Sequence, residues 1–354
     1  MAYDYHIGVD YHKAYSHIVV QDTAGKTLRS GRVRNDSRSV AGFLSPFSDN
    51  AHAVMEATRN WTVMFDWLDE LCDEVVLAHP LKVKAIAEAK IKTDKIDATI
   101  LAHLLRAELV PTAHASSHRA REVRLALRER MFYVRLRTMV KNRVVTAFDR
   151  YPEQIAVLKQ CKDLFGAAGR KQLAALEVSA IDRIQIDRSL AFIDDIERRI
   201  KECEATIKAL SRGNANVRRL KTLPGIGEFF ARLIDAEIDD IGRFRSAAKL
   251  AAYAGLVPST YSSGGKTWHG RIIKQGNKWL RWAFVEAVAP AVASDPEIKA
   301  YYERLKATKG ANRAKVATAR RLLTIAFQLL RDGRPYQRCG ARPGGERSTP
   351  SRLS

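Results

Sequence analysis

Short β-branched runs open the chain, and helical spacing takes over later. Residues 5–10 (YHIGVD), 17–21 (HIVVQ) and 27–33 alternate or cluster apolar side chains, and the DTAGK sequence at 22–26 separates the last two with turn residues. Residues 51–56 (AHAVME) and 74–78 (EVVLA) read as two further buried strands. Around 40–46, 60–73 and 82–89 the apolar residues fall at helical intervals. Residues 94–109 (DKIDATILAHLLRAEL) predict an amphipathic helix with Ile96, Ile100, Leu101 and Leu104 on one face. Three strands, then strands alternating with helices, predict an α/β domain that ends near residue 110.

Past residue 119 the period changes. Leu125, Phe132, Leu136 and Met139, and later Leu190, Ile193, Ile196 and Ile200, recur mostly at three- and four-residue intervals among many charges. That pattern predicts long helices, arranged as an antiparallel coiled-coil arm with a break near residues 166–169. Residues 217–332 read as short helices around a Gly/Ser-rich loop at 259–265. From Gly333 onward Pro, Gly, Arg and Ser dominate, and no fold is expected there.

Charge changes the picture. The chain of 354 residues, long enough for two or three domains, carries 60 Lys plus Arg against 39 Asp plus Glu, a net charge of +21. Such a surplus opposes compaction unless a polyanion neutralises it, and nucleic acid is the default partner. Residues 119–150 concentrate the effect, with ten basic residues, Arg124, Arg128 and Arg135 among them, against Glu122, Glu129 and Asp149. A solvated helix would mix its signs, so a phosphate-facing helix is expected. A membrane protein is excluded at this level, because the most apolar stretch (279–294) is broken by Arg281, Glu286 and Pro290. The first residues show no basic segment followed by an apolar one, so no signal peptide is expected. Cys72, Cys161, Cys203 and Cys339 lie far apart, which argues against a zinc ribbon or disulfide scaffold and fits a reducing cytoplasm.

Chemistry enters with the placement of four acids. Asp10 ends the first strand, Glu56 ends another, and Asp94 and Asp97 lie three apart on one helix face. Strand ends and one helix face can converge these carboxylates on a point, where they repel unless hard cations such as Mg²⁺ neutralise them. Two ions roughly 3.5–4 Å apart can stabilise both oxygens of a phosphodiester displacement. Blander roles stay open: Asp94 as a helix-start acid behind an N-cap at Thr93, Asp10 as a turn residue. The runs IGVDYHK (7–13), EAT (56–58) and KTDKIDA (92–98) resemble the DEDD transposases of bacterial insertion sequences. The resemblance implies a RuvC-like domain, a variant of the ribonuclease H fold, with Asp10, Glu56, Asp94 and Asp97 as its metal-binding tetrad, Mg²⁺ as the cofactor and Mn²⁺ as a substitute. Arg59 departs from the family, where Gly often follows Glu-Ala-Thr.

Two motifs follow in the last third. Residues 223–227 (LPGIG) precede an apolar helix, and Gly225 and Gly227 would let backbone N–H groups approach a phosphate, as in helix-hairpin-helix proteins. Residues 261–266 (YSSGGK) place Ser262 and Ser263 among small residues, followed by Lys266, Arg271, Lys274, Lys278 and Arg281, cations suited to a phosphate. By itself the serine loop is as readily plain turn chemistry. This block is similar to the C-terminal half of the same transposases, in the bridge-RNA-guided branch. There the catalytic serine matches Ser263, with Ser262 and Tyr261 as runners-up. The implied layout is a RuvC-like domain at 1–112, a helical coiled-coil arm at 113–215, a mainly helical serine transposase domain at 216–332, and a disordered basic tail at 333–354. The implied partners are donor and target DNA, a bridge-type non-coding RNA and further copies of the chain in a dimer or tetramer, in the bacterial cytoplasm near the nucleoid. Rival readings are a RuvC-like nuclease that hydrolyses DNA without a serine intermediate, a tyrosine recombinase using Tyr261, and a non-catalytic nucleic-acid-binding protein.

Overall fold

The computed structural model describes residues 3–58, 60–87, 93–154, 161–263, 265–272 and 275–337, and the chain divides into two units, Met1–Ser116 and Ser117–Ser354. In the first, the β-branched runs pair as expected. Strands β1 (Tyr5–Tyr11), β2 (Tyr15–Gln21) and β3 (Thr27–Arg34) form an antiparallel meander, and β4 (Ala51–Glu56) and β5 (Glu74–Ala78) add in parallel on the other side of β1. The sheet order is β3-β2-β1-β4-β5.

Side chains alternate across the sheet. Ile7, Val9, Ile18, Val20, Ala53 and Met55 pack under α1 (Ser37–Leu44) and α2 (Trp61–Leu71), with Val40, Leu44, Met64 and Leu68 fully buried between. The opposite face brings Val54 and Ala78 against α3 (Pro80–Ile86) and Leu101, Leu104 and Leu105 of α4 (Asp94–Arg106). Helices on both faces of a mixed sheet make this an α/β unit. The close seat of α4 depends on Gly8: a Cβ there would stand 2.1 Å from Ala98 O and 2.7 Å from Ala102 N.

The second unit is mostly helical. Its longest members, α5 (His118–Ala147) and α7 (Ala180–Leu210), run antiparallel, since Arg130 pairs with Glu204, Arg137 with Glu197, and Arg150, just past α5, with Asp182. Val140, Ile193, Ile196 and Ile200 pack between them, and α6 (Ala167–Ala175) covers the end with Leu173. Leu136 packs inward, whereas Leu125, Phe132 and Met139 lie on the exposed side of α5. The remaining helices are α8 (Ala215–Lys221), α9 (Glu228–Ile238), α10 (Ala247–Tyr253), α11 (Lys278–Ser294), α12 (Pro296–Lys309) and α13 (Ala311–Asp332). They share one core that includes Leu220, Leu233, Leu250, Phe284 and Leu323.

One expectation is corrected. The stretch at 259–265 is not a loop: β6 (Pro258–Ser263) and β7 (Lys266–Ile272) form an antiparallel hairpin, because Thr260 and Tyr261 favour extended backbone and glycine closes the turn, Gly265 having φ +74°. Of the expected helix at 82–89, residues 88 and 89 lie outside the described residues, as does Arg59, and so do residues 338–354 of the basic tail. Among the described residues no helix is long and apolar enough to cross a membrane.

Candidate active site

Parallel pairing of β1 and β4 brings their C-terminal ends side by side, and with them Asp10 and Glu56. The start of α4 reaches the same rim. Thr93 caps that helix, its hydroxyl accepting from Ile96 N at 3.3 Å, so Asp94 and Asp97 occupy the first turn. Asp10, Glu56 and Asp97 line one cleft of about 370 Å³, together with Pro80, Lys84 and Ile100. Asp94 stands at its margin, joined to Asp10 through His12: the ring Nε2 lies 3.1 Å from Asp10 Oδ2 and 3.3 Å from Asp94 Oδ1. Tyr15 donates its hydroxyl to Asp94 Oδ2 at 3.0 Å, and the Arg32 guanidinium stacks 3.5 Å over the Tyr15 ring.

The electrostatics set burial and neighbouring acids against the Asp10 anion. Burial pushes the Asp10 carboxyl up from its ordinary value, His12 opposes this, and the negative charges of Asp97 and Asp94 add to it. Asp94 is pulled down, chiefly by the Tyr15 hydroxyl. Three carboxylates around one cleft, one of them disfavoured as an anion first by burial and then by its acidic neighbours, fit a divalent ion with oxygen preference. The four acids stand out in the sequence, whereas His12, Tyr15 and Arg32 join them only through the fold. One signal was available for His12: it lies one residue past the end of β1, two residues from Asp10, where continuing the strand's alternation would put it on the side of Asp10.

The second candidate group lies in the hairpin. Ser263 is the last residue of β6, paired across the turn with Lys266, while Ser262 pairs with Thr267 and Tyr261 with Trp268. Arg271 lies on β7, Lys278 is exposed at the start of α11, and Arg281 is half-buried one turn on; Lys274 lies outside the described residues.

The basic helix has more internal partners than its own segment suggested. Arg124 donates to Ala236 O at 2.7 Å, Arg128 pairs with Glu237 at 2.5 Å, and Glu237, only 2% exposed, also accepts from Asn277 at the start of α11. Arg124 and Arg128 thus serve α5–α9 packing, and the balancing acid came from a distant stretch. Arg135 is exposed, with its guanidinium 5.5 Å from the centre of the Trp279 ring. The two glycines also part ways. Gly225 (φ +83°) is where α11 approaches, since a Cβ would meet Ala287 O at 2.2 Å. Gly227 is exposed at the start of α9, with open space around it.

Two family models match the chain. A model of the DEDD transposases of IS110, described as transposase, covers residues 7–152, and one described as transposase IS116/IS110/IS902 family covers residues 217–303. The chain is similar to the transposase for insertion sequence element IS1111A of Coxiella burnetii, 26% identical over 95% of this chain and 92% of that protein. It is also similar to the pilin gene-inverting protein of Moraxella bovis, 26% identical over 81% of this chain and 82% of the other. With the insertion element IS110 uncharacterized 43.6 kDa protein of Streptomyces coelicolor it shares 28% identity over 49% of this chain, spanning only 43% of that relative.

Proposed function

The chain belongs to the IS116/IS110/IS902 family of transposases, enzymes that cut and rejoin DNA, and on that premise we propose that it moves an insertion sequence through a serine-linked intermediate. The single observation that carries the acid half is the cleft lined by Asp10, Glu56 and Asp97, drawn from two strands and a helix, with Asp94 at its margin. We read this unit as RuvC-like, with the four acids holding Mg²⁺, or Mn²⁺ in its place. When bound, the metal would polarise the scissile phosphate and stabilise the leaving oxygen.

The remaining steps belong to the protein's own residues. The Ser263 Oγ attacks the phosphorus of a DNA phosphodiester; the Oγ–P bond forms as the bond to the 3′ oxygen breaks, and the proton released from the serine ends on that oxygen, leaving a phosphoserine and a free 3′-hydroxyl. Attack by a different 3′-hydroxyl on the phosphoserine reverses the step and joins new partners, with no nucleotide cofactor because the bond energy is retained. Lys266, Arg271, Lys274, Lys278, Arg281 and Arg135, with the exposed backbone of Gly227, hold phosphates around the hairpin. Acids and serine would combine on one phosphate in a dimer or tetramer assembled through the α5–α7 arm, which we read as coiled coil. A bridge-type RNA would supply sequence choice by base pairing, which suits a basic chain whose cations form no base-reading motif.

Labelled donor DNA incubated with the protein, Mg²⁺ and the RNA transcribed beside its gene tests this. A denaturation-resistant protein–DNA adduct whose phosphate maps to Ser263 by mass spectrometry is expected, lost in Ser263→Ala and in Asp10→Asn. Cutting that persists in Ser263→Ala without an adduct would establish a hydrolytic nuclease instead. A phosphate on Tyr261 would establish a tyrosine recombinase.

A further inference from the structure

The imidazole of His12 has no place in a tetrad made only of carboxylates, yet it stands between two of them. Among the described residues, Asp10, His12 and Asp94 form the group whose candidate ligand atoms all lie within 4.8 Å of one another. The Nε2 contacts at 3.1 Å and 3.3 Å lack hydrogen-bond geometry, and that nitrogen is closed off from solvent although the ring as a whole is 39% exposed. Other contacts hold the residue, its backbone and its ring alike. His12 N donates to Tyr15 O at 3.1 Å, His12 O accepts from Asn35 Nδ2 at 2.7 Å, and the ring lies tilted on Tyr15 with centroids 5.1 Å apart. Tyr15 is in turn held between Asp94 and Arg32.

Neighbouring ligands of an octahedral ion at ~2.1 Å are ~3.0 Å apart, close to the spacing of Nε2 from each carboxylate oxygen. A nitrogen donor also changes which ion is preferred. Mg²⁺ takes oxygen ligands, whereas imidazole suits the later first-row metals, and Mn²⁺ tolerates both. Taking as given the reading of the four acids as a divalent-metal site, we infer that His12 donates Nε2 to an ion it shares with Asp10 and Asp94. It thereby tilts the site from Mg²⁺ toward Mn²⁺ and the ions that follow it.

The test uses the full chain without DNA. Calorimetric titration compares Mn²⁺ with Mg²⁺, and pulsed electron paramagnetic resonance of the Mn²⁺-loaded protein looks for ¹⁴N coupling. The expected result is a ¹⁴N coupling that disappears in both His12→Asn and His12→Ala. Mn²⁺ affinity should fall about tenfold or more, the scale of losses at metal-supporting residues, while Mg²⁺ affinity changes less. A Mn²⁺ signal without ¹⁴N coupling, a coupling that survives His12→Asn, or an unchanged Mn²⁺/Mg²⁺ ratio would overturn the inference and leave His12 a neighbour of the site that does not ligate. Failure of the acid site itself looks different: the unmutated chain binds neither ion, or Asp10→Asn binds both as tightly. Because the coupling is read first in the unmutated protein, a variant that misfolds does not blunt the experiment.

Discussion

Replacing Gly8 by Ala should loosen the candidate active site without touching any acid. The added methyl would stand 2.1 Å from Ala98 O, inside the 3.0 Å that real Cβ contacts essentially never breach, so α4 and β1 must separate by about 0.9 Å (3.0 − 2.1). The obstacle is helix backbone rather than a side chain that could swing away, which places the cost near the top of the 1–3 kcal/mol typical of overpacking, at about 2–3 kcal/mol. Alanine recovers roughly 0.5–1 kcal/mol over glycine in a strand, leaving about 1–2.5 kcal/mol net. For a unit of this size that lowers the melting temperature by roughly 4 °C or more per kcal/mol. Asp94 and Asp97 start α4 and move with it, and a misplacement of about 1 Å can cost on the order of 100-fold in rate. Calorimetric melting, paired with a strand-cleavage assay, measures both effects. A Gly8→Ala protein that melts within a degree of the parent and cleaves at the same rate would refute this account of how α4 is seated.

Other perturbations have equally definite outcomes. Glu237→Ala removes the carboxylate that engages Arg128 and Asn277, and should cost about 3–5 kcal/mol, as breaking a buried pair does; urea denaturation measures it. Lowering the pH from 7.5 to 5.5 should destabilise the first unit. Burial holds both His6 and His52 below their ordinary 6.5, so the stability of their neutral forms is full above that value and lost as pH falls through the lowered ones; urea midpoints at the two pH values, flattened by His6→Gln, check it. Burial pushes the Cys72 thiol up to about 12, so iodoacetamide at pH 8 should label half-exposed Cys161 in the native protein and leave Cys72 unmodified, read by peptide mass spectrometry.

The strands of the first unit were legible because buried β-branched residues leave little choice of period; only the ends moved, β2 starting at Tyr15 rather than residue 17. The helix expected to reach 109 stops at Arg106, where Glu108 turns to a positive φ that periodicity cannot register. At the site, four acids were readable as a spaced set, whereas His12 looked like an ordinary polar residue of a strand end. Turn-forming Ser and Gly masked the hairpin at 258–272, whose strands depend on pairing with each other. The partners of the basic helix were hidden for a different reason. Counting charges within 119–150 omits Glu204, Glu197 and Glu237, acids that only the fold delivers to it.

Because β1 and β4 run parallel, the acids gather at one rim of the sheet while the connection ahead of β4 belongs to the other. The seven residues of β1 separate the two rims by roughly 20 Å at about 3.3 Å per residue. Asp49, exposed in that connection, is therefore where a fluorophore or affinity epitope could be spliced in to follow the protein, leaving the acidic rim unobstructed.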